Sequence, residues 1–268
     1  MAGFDATVPH PARVYDFLLG GRDNFAADRD LAKQLSRLVP DIRHIVRENK
    51  GFLARAVTWV AEQGVDQFID LGPGLPTSPA THEIARAANA RASVAYVDND
   101  PVVVNHLIAF SAKAPGVSVT EADFRDVDAV LATVDIGAPV CLIVGCVLHF
   151  FPASEAASLV ARYTAALAPG SYLVLSVVRP VDQHGVQGQR IYTGAGMPHY
   201  THSARQIAAF CAGLDLVPPG VADARCWSPE AADIPKAAPH GGGTVLVAVA
   251  RRVLRNSTEC LSKSSRLT

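Results

Sequence analysis

The stretch Phe68-Ile69-Asp70-Leu71-Gly72-Pro73-Gly74-Leu75-Pro76-Thr77 decides the fold: an apolar strand ends in an acid and runs into a glycine-rich turn that opens a helix. Glycines there remove Cβ, so the main chain can approach a ligand at the carboxyl edge of the strand. The N-terminus of the following helix favours polar or anionic groups at the same place. Standing alone, the segment also reads as a tight strand-to-helix turn with no ligand, so its neighbours must decide.

Beyond Gly64, short apolar runs alternate with amphipathic segments: QFID, SVAYV, VSVTEA, VCLIVGC, SYLVLSVV, LDLVPPG and TVLVAVA. That alternation predicts an α/β domain with a mostly parallel sheet. Ser78-Pro79 and Asp100-Pro101 each place a capping side chain before a proline at a predicted first helical position. Ser203 with Gln206 forms a capping box, and Ala168-Pro169-Gly170 stops a helix before SYLVLSVV. Upstream, residues 11 to 63 carry only helical periodicity, with no strand. Residues 179–202, rich in Gly, His and Gln and without apolar period, read as a long loop or lid. The expected division is an N-terminal helical cap (1–63), an α/β domain (64–254) and a polar, disordered tail (255–268).

Composition agrees with a large core and narrows the partners. Of 268 residues, 49% are hydrophobic and only 7% aromatic, so the bulk is Ala, Val and Leu, as in a sheet covered by Ala-rich helices. Lys and Arg number 24 against 25 acids, with no block of like charge, which argues against nucleic acid as a partner. The start lacks a basic-then-apolar pattern, and the longest apolar stretch, VCLIVGCVL, is too short to span a bilayer. A cytoplasmic protein with no membrane partner is expected. Five cysteines without a C-x-x-C pattern suggest neither a disulfide framework nor a zinc knuckle. His199 and His202 lack a Cys or acid to complete a ligand set, so no metal site is expected.

Two further strand ends carry chemistry. Val94-Ala95-Tyr96-Val97-Asp98-Asn99-Asp100-Pro101 closes a second strand about two dozen residues past the glycine turn. Asp98 there suits the two ribose hydroxyls of a nucleoside, and Asp100 suits a helix cap. Glu121-Ala122-Asp123-Phe124-Arg125-Asp126 follows the third strand; its Asp123 suits the exocyclic amine of adenine, and Phe124 can cover a ring face. Three such sites in order at successive strand ends point to a nucleoside-containing cofactor.

The order D-x-G-x-G, strand-terminal Asp, A-D-F and VCLIVGCVLHFFP resembles the class I S-adenosylmethionine-dependent methyltransferases. The opening Ala12-Arg13-Val14-Tyr15-Asp16-Phe17-Leu18-Leu19-Gly20-Gly21-Arg22-Asp23-Asn24-Phe25, with DLGPGLPT, YVDNDP, VLHF and residues 215–227, is similar to a bacterial S-adenosyl methyltransferase family once known only as a domain of unknown function. The resemblance spans roughly residues 8 to 252. It implies a Rossmann-like, seven-stranded, mostly parallel sheet whose last strand is antiparallel, S-adenosyl-L-methionine as cofactor, and methyl transfer to a small-molecule acceptor. By the same resemblance Asp70, Gly72 and Gly74 line the methionine side, Asp98 binds ribose, Asn99 flanks adenine, and Asp123 with Phe124 hold the base. Gly145 and Cys146 offer backbone groups to the cofactor amine, and Tyr15, Arg22 and Asn24 close the pocket, with Arg22 aimed at the methionine carboxylate.

Methyl transfer from a sulfonium is an in-line displacement with an activated leaving group, so alignment supplies about 7 to 11 kcal/mol and a base is needed only for some acceptors. His149, just past the fourth strand, is the candidate base, with a loop or cofactor hydrogen bond as its alternative role. His184, Tyr192, His199, Tyr200 and His202 are candidates for the acceptor pocket. Two other functions stay open at this point. One is a cofactor-binding protein without turnover. The other is a nicotinamide dehydrogenase, which is disfavoured because Leu75-Pro76-Thr77 leaves no third glycine for G-x-G-x-x-G.

Overall fold

Five parallel strands form the centre of the computed structural model, which describes residues 5–111, 113–230 and 241–253. They are β1 (Gln67–Leu71), β2 (Ser93–Asp98), β3 (Val117–Glu121), β4 (Val140–Gly145) and β5 (Tyr172–Pro180). Two short strands, β6 (Asp215–Leu216) and β7 (Ala222–Asp223), and the long β8 (Gly243–Arg251) complete a sheet of order β3-β2-β1-β4-β5-β8-β6, with β7 also on β8. The last strand is antiparallel, as expected, with Tyr172 opposite Arg251 and Pro180 opposite Gly243. The expected sixth strand, LDLVPPG, is split instead: β6 and β7 each supply two residues along the same edge of β8. Pro218 and Pro219 lie between them, and proline has no N–H to give a ladder.

β1 lies between β2 and β4, so the chain crosses over at this point, and a crevice opens at the carboxyl ends of β1 and β4. One face of the sheet is covered by α3 (Ile42–Glu62), α4 (Thr81–Ala88) and α5 (Pro101–Ser111), whose Phe52, Val60, Val103 and Leu107 pack with Phe68, Tyr96, Ile143 and Val247. The other is covered by α6 (Val127–Leu131), α7 (Ala153–Ala166) and α9 (Ala204–Phe210), with Leu159, Tyr163 and Ile207 against Ile69, Leu142 and Leu173. A third, smaller core joins α1 (Pro11–Leu19) and α2 (Ala26–Leu38) to the start of α3 through Val14, Leu18, Leu31, Leu35, Val46 and Met197.

The capping expectations fare differently. Asp100 Oδ1 accepts the Val102 N–H at 2.8 Å, and Ser203 and Gln206 cap each other. Ser78-Pro79 does not start a helix: α4 begins at Thr81, and the Glu83 carboxylate reaches back to the Ala80 N–H at 2.7 Å. The stretch 179–202 is not a loop either. It ends β5 and then forms α8 (Gln183–Gly194), capped by Asp182, which accepts from Gly185 N at 3.0 Å. The helical period was hidden because its protein-facing positions are glycines. A Cβ on Gly185 would lie 1.6 Å from the Gly242 carbonyl oxygen, so only glycine lets the helix approach. The predicted disorder of residues 255–268 lies outside the described residues.

A buried charge cluster fastens α1 and α2 to the sheet. Asp28, fully buried, accepts from the backbone N–H groups of His10 and Phe25, each at 2.8 Å, and from Arg13 Nε at 2.9 Å. Arg13, 3% exposed, also lies 3.7 Å from Asp100 at the end of β2 and donates to the Val8 carbonyl at 2.7 Å. Removing one partner of such a cluster leaves an uncompensated buried charge, at a cost of about 3 to 5 kcal/mol. Arg13→Met is therefore expected to lose about that much in urea unfolding; a loss under about 1 kcal/mol would show the cluster to be dispensable.

Candidate active site

A cavity of about 1210 Å³ occupies the crevice at the strand ends, roofed by α1, α3 and α8. It is lined by Tyr15, Arg22, Asp70, Gly72, Gly74, Asp98, Asn99, Asp123, Phe124, Gly145, Cys146 and His149, so all the cofactor and base candidates but one meet there; of the acceptor-pocket candidates Tyr192 and His199 line it, and His184, Tyr200 and His202 do not. The exception is Asn24. Its amide donates to Asp16 Oδ2 at 2.7 Å and to the Gly21 carbonyl at 3.1 Å, which makes it a buried brace of the turn after α1.

At the end of β1, Asp70 is buried and accepts from Thr81 Oγ1 at 2.6 Å, and burial raises its pKa above the ordinary carboxylate range. Gly72 has φ +68°, and a Cβ there would lie 2.6 Å from a methyl of Val147. The glycine thus serves the protein's own packing as well as any ligand. Asp98, buried at the end of β2, accepts from Gly74 N at 3.3 Å and Asp100 N at 3.0 Å; with no cation on it, burial lifts its pKa to about 6. Asn99 Nδ2 points to Asp123 Oδ2 at 3.4 Å, with Asn99 exposed and Asp123 half-buried. Phe124 is less free than its expected adenine-covering role requires: its ring packs in the core against Phe151 at 5.1 Å and Tyr163 at 5.4 Å.

Past β4 the backbone turns sharply. Cys146 has φ +57°, a strained value for a residue with a side chain, and its N–H is shared between the Ser176 carbonyl and hydroxyl, each at 3.0 Å. Its N–H is therefore engaged within the protein, and burial pushes the thiol up to about 11. The next turn, Leu148–Phe150, sets His149 in the cavity wall, 5% exposed, stacked on His199 with centroids 4.7 Å apart. His149 Nδ1 has no hydrogen-bond partner. Burial, and then the imidazoles of His199 and His202, hold the pKa of His149 well below the histidine range. Burial brings His199 to about 4, so both rings are neutral at physiological pH.

The roof corrects two expectations. Tyr15 donates its hydroxyl to the Val46 carbonyl at 3.0 Å and accepts from Asn49 at 2.9 Å, so its ring, not its hydroxyl, is what it offers the cavity. Arg22 is exposed beside Asp23, which lies 3.7 Å from His106 of α5; this is the β2 side of the cavity, away from Asp70 and Cys146. The cation beside Asp70 and Cys146 is Lys50, which the sequence reading missed. It lines the cavity over the Tyr15 ring at 5.9 Å, and it interacts with Asp70 and Cys146. Its signal was the polar pair Asn49-Lys50 within the apolar stripe Ile45, Val46 and Leu53 of α3. Arg179, near the end of β5, was likewise missed.

The family model of the S-adenosyl methyltransferases matches residues 1–252. The chain belongs to this family. A candidate methyltransferase from Thermobifida fusca YX is similar at 35% identity and a TM-score of 0.85, over 93% of this chain and 97% of the other. A DUF574 family protein from Streptomyces avermitilis MA-4680 is similar at 33% identity and a TM-score of 0.84, over 92% of this chain and 99% of the other. No curated protein sequence matches the chain. As a member of the family, this Rossmann-like protein is an S-adenosylmethionine-dependent methyltransferase, and the dehydrogenase alternative is set aside.

Gly72 separates packing from ligand approach in a way that can be measured. Gly72→Ala is expected to lower the melting temperature of the ligand-free protein, by at least about 1 kcal/mol of stability, because of the left-handed φ and the Val147 contact. An unchanged melting temperature would assign this glycine to ligand approach alone.

Proposed function

We propose that the enzyme methylates a small-molecule acceptor seated on the α8 side of the cavity, with His149 as the group that receives the acceptor's proton. The observation that carries this reading is the continuity of the cavity. At about 1210 Å³ it runs from the strand-end acids to His149 and α8, more than the roughly 300 to 1,000 Å³ that suits one drug-sized ligand.

The residues present fit the cofactor. Asp98 is a buried carboxylate with no cation on it, which suits two ribose hydroxyls. Asn99 and Asp123 stand on the rim beside it for adenine, and the Gly72–Gly74 turn and Asp70 lie towards Lys50, whose ammonium suits the methionine carboxylate. S-adenosylmethionine supplies a methyl group on an already activated sulfonium. The protein then needs to align the acceptor and exclude water. His149, kept neutral, presents a lone pair to an acceptor O–H or N–H over the full physiological pH range and orients it for attack. A cytoplasmic setting belongs to this reading and is supported by the free thiols of Cys141, Cys146, Cys211 and Cys226. The near balance of charge supports a partner other than nucleic acid.

Incubation with methyl-labelled S-adenosylmethionine and a bacterial small-molecule extract tests the proposal. Label is expected in a small product; transfer confined to protein or nucleic acid would overturn it. Two binding measurements test the roles. Asp98 must be ionised to accept from ribose and its pKa is raised to about 6, so the affinity for S-adenosylhomocysteine is expected to be flat above pH 7. It should fall up to tenfold per unit below pH 6, and Asp98→Asn should remove that slope. Lys50→Met is expected to weaken S-adenosylhomocysteine about tenfold while leaving 5′-methylthioadenosine, which lacks the amino-acid part, unchanged. Equal losses for both would take Lys50 off the carboxylate.

A further inference from the structure

The half of the cavity away from the strand-end acids holds a cation with nothing to pair with. Arg179 is the last residue but one of β5, half-buried, and it lines the cavity. Its Nε is sealed from water with no hydrogen-bond partner, and none of the described carboxylates lies within ion-pair distance of the guanidinium. β4 and β5 part company at the pair Gly145 and Ser176, so Arg179 stands three residues farther along β5, about 10 Å past the turn that carries Cys146. It therefore lies beyond the strand ends that seat the cofactor.

The charges along the cavity are segregated. The acids among its lining residues are Asp16, Asp23, Asp70, Asp98 and Asp123, all in α1 or the turn after it, or at or just past the ends of β1, β2 and β3. The lining around α8 and the end of β5 contributes no acid, although Asp182 lies close in the chain; that carboxylate accepts the Gly185 and Gly242 N–H groups outside the cavity. The apolar side chains Val39, Ile42, Ile45, Val178 and Met197 belong to the same cavity lining, and Gly188 of α8 brings its backbone close to Val39. A guanidinium that lines a cavity with no counter-ion among the described residues is a poor structural element and a good receptor, since its planar fork matches a carboxylate.

We infer that the methyl acceptor is a carboxylic acid with an apolar body, its carboxylate held by Arg179 and its nucleophilic atom presented past His149 to the cofactor side. The body fills the space between α8 and the Val39–Ile45 wall. Arg179 binds but takes no part in bond making. A molecule with the same body and no negative charge leaves the guanidinium unpaired and is rejected, which gives the enzyme its selectivity.

This inference rests on the cofactor occupying the strand-end side, and the test keeps the two apart. Protein saturated with S-adenosylhomocysteine is titrated calorimetrically with 1-naphthylacetate and, separately, with 1-naphthylacetamide, two probes with one body and different charge. The wild type is expected to bind the acid at least tenfold more tightly than the amide. Arg179→Met should bind both alike, Arg179→Lys should keep part of the preference, and neither variant should change the affinity for S-adenosylhomocysteine. An equal affinity for the two probes in the wild type, no binding of either, or an undiminished preference in Arg179→Met would each overturn the carboxylate assignment. Failure of S-adenosylhomocysteine itself to bind would instead overturn the cofactor placement.

Discussion

The guanidinium of Arg13, enclosed between Asp28 and Asp100, is the constraint from which the shape of the site follows. Asp28 comes from the second helix and Asp100 from the end of β2, so one cation closes the gap between the helical roof and the sheet. Asp28 also takes the N–H groups of His10 and Phe25, which fixes both ends of the segment that crosses above the crevice. The cluster is two residues from Asp98, a buried acid whose pKa burial raises to about 6. One local network thus ties the roof to the backbone beside Asp98, whose carboxylate accepts the Asp100 N–H.

The site is polarised in its charge and in its protonation. Carboxylates gather on the side of α1 and of β1, β2 and β3. The opposite side has neutral imidazoles and one guanidinium. Burial explains both departures from ordinary titration: it raises Asp98 and it lowers His149 and His199. Burial and the stacking of one imidazole on the other disfavour a charge on either, so this wall of the cavity stays neutral at physiological pH.

Much of this was legible in the residues themselves. The parallel strands announced themselves as short apolar runs, and the glycine turn, Asp98 and Asp123 fell at strand ends, where topology brings them together. What escaped had physical causes. α8 was hidden because its inner face is glycine, which leaves no apolar period to read. Phe124 looked like a free ring but was committed to Phe151 and Tyr163, contacts set by a helix far along the chain. Asn24 and the Tyr15 hydroxyl were spent on neighbours within the roof, and a sequence does not say which of two polar roles a side chain takes. Lys50 left only the mark of a polar pair inside an apolar stripe, and Arg179 has no counter-ion among the described residues, an absence that leaves no mark in a linear pattern.

The divided outer strand bears on how the molecule behaves among copies of itself. A nine-residue strand such as β8 would, if left open along its outer side, offer a long row of N–H and C=O groups to any passing chain. Here that row is met by two pieces of two residues each, with Pro218 and Pro219 between them, where no N–H is on offer. The margin of the sheet is therefore covered by chain too short and too interrupted to serve as a template for another strand. A protein with so Val-rich a central sheet keeps its pairing to itself through this border, and it does so without adding charge to a surface that is close to neutral.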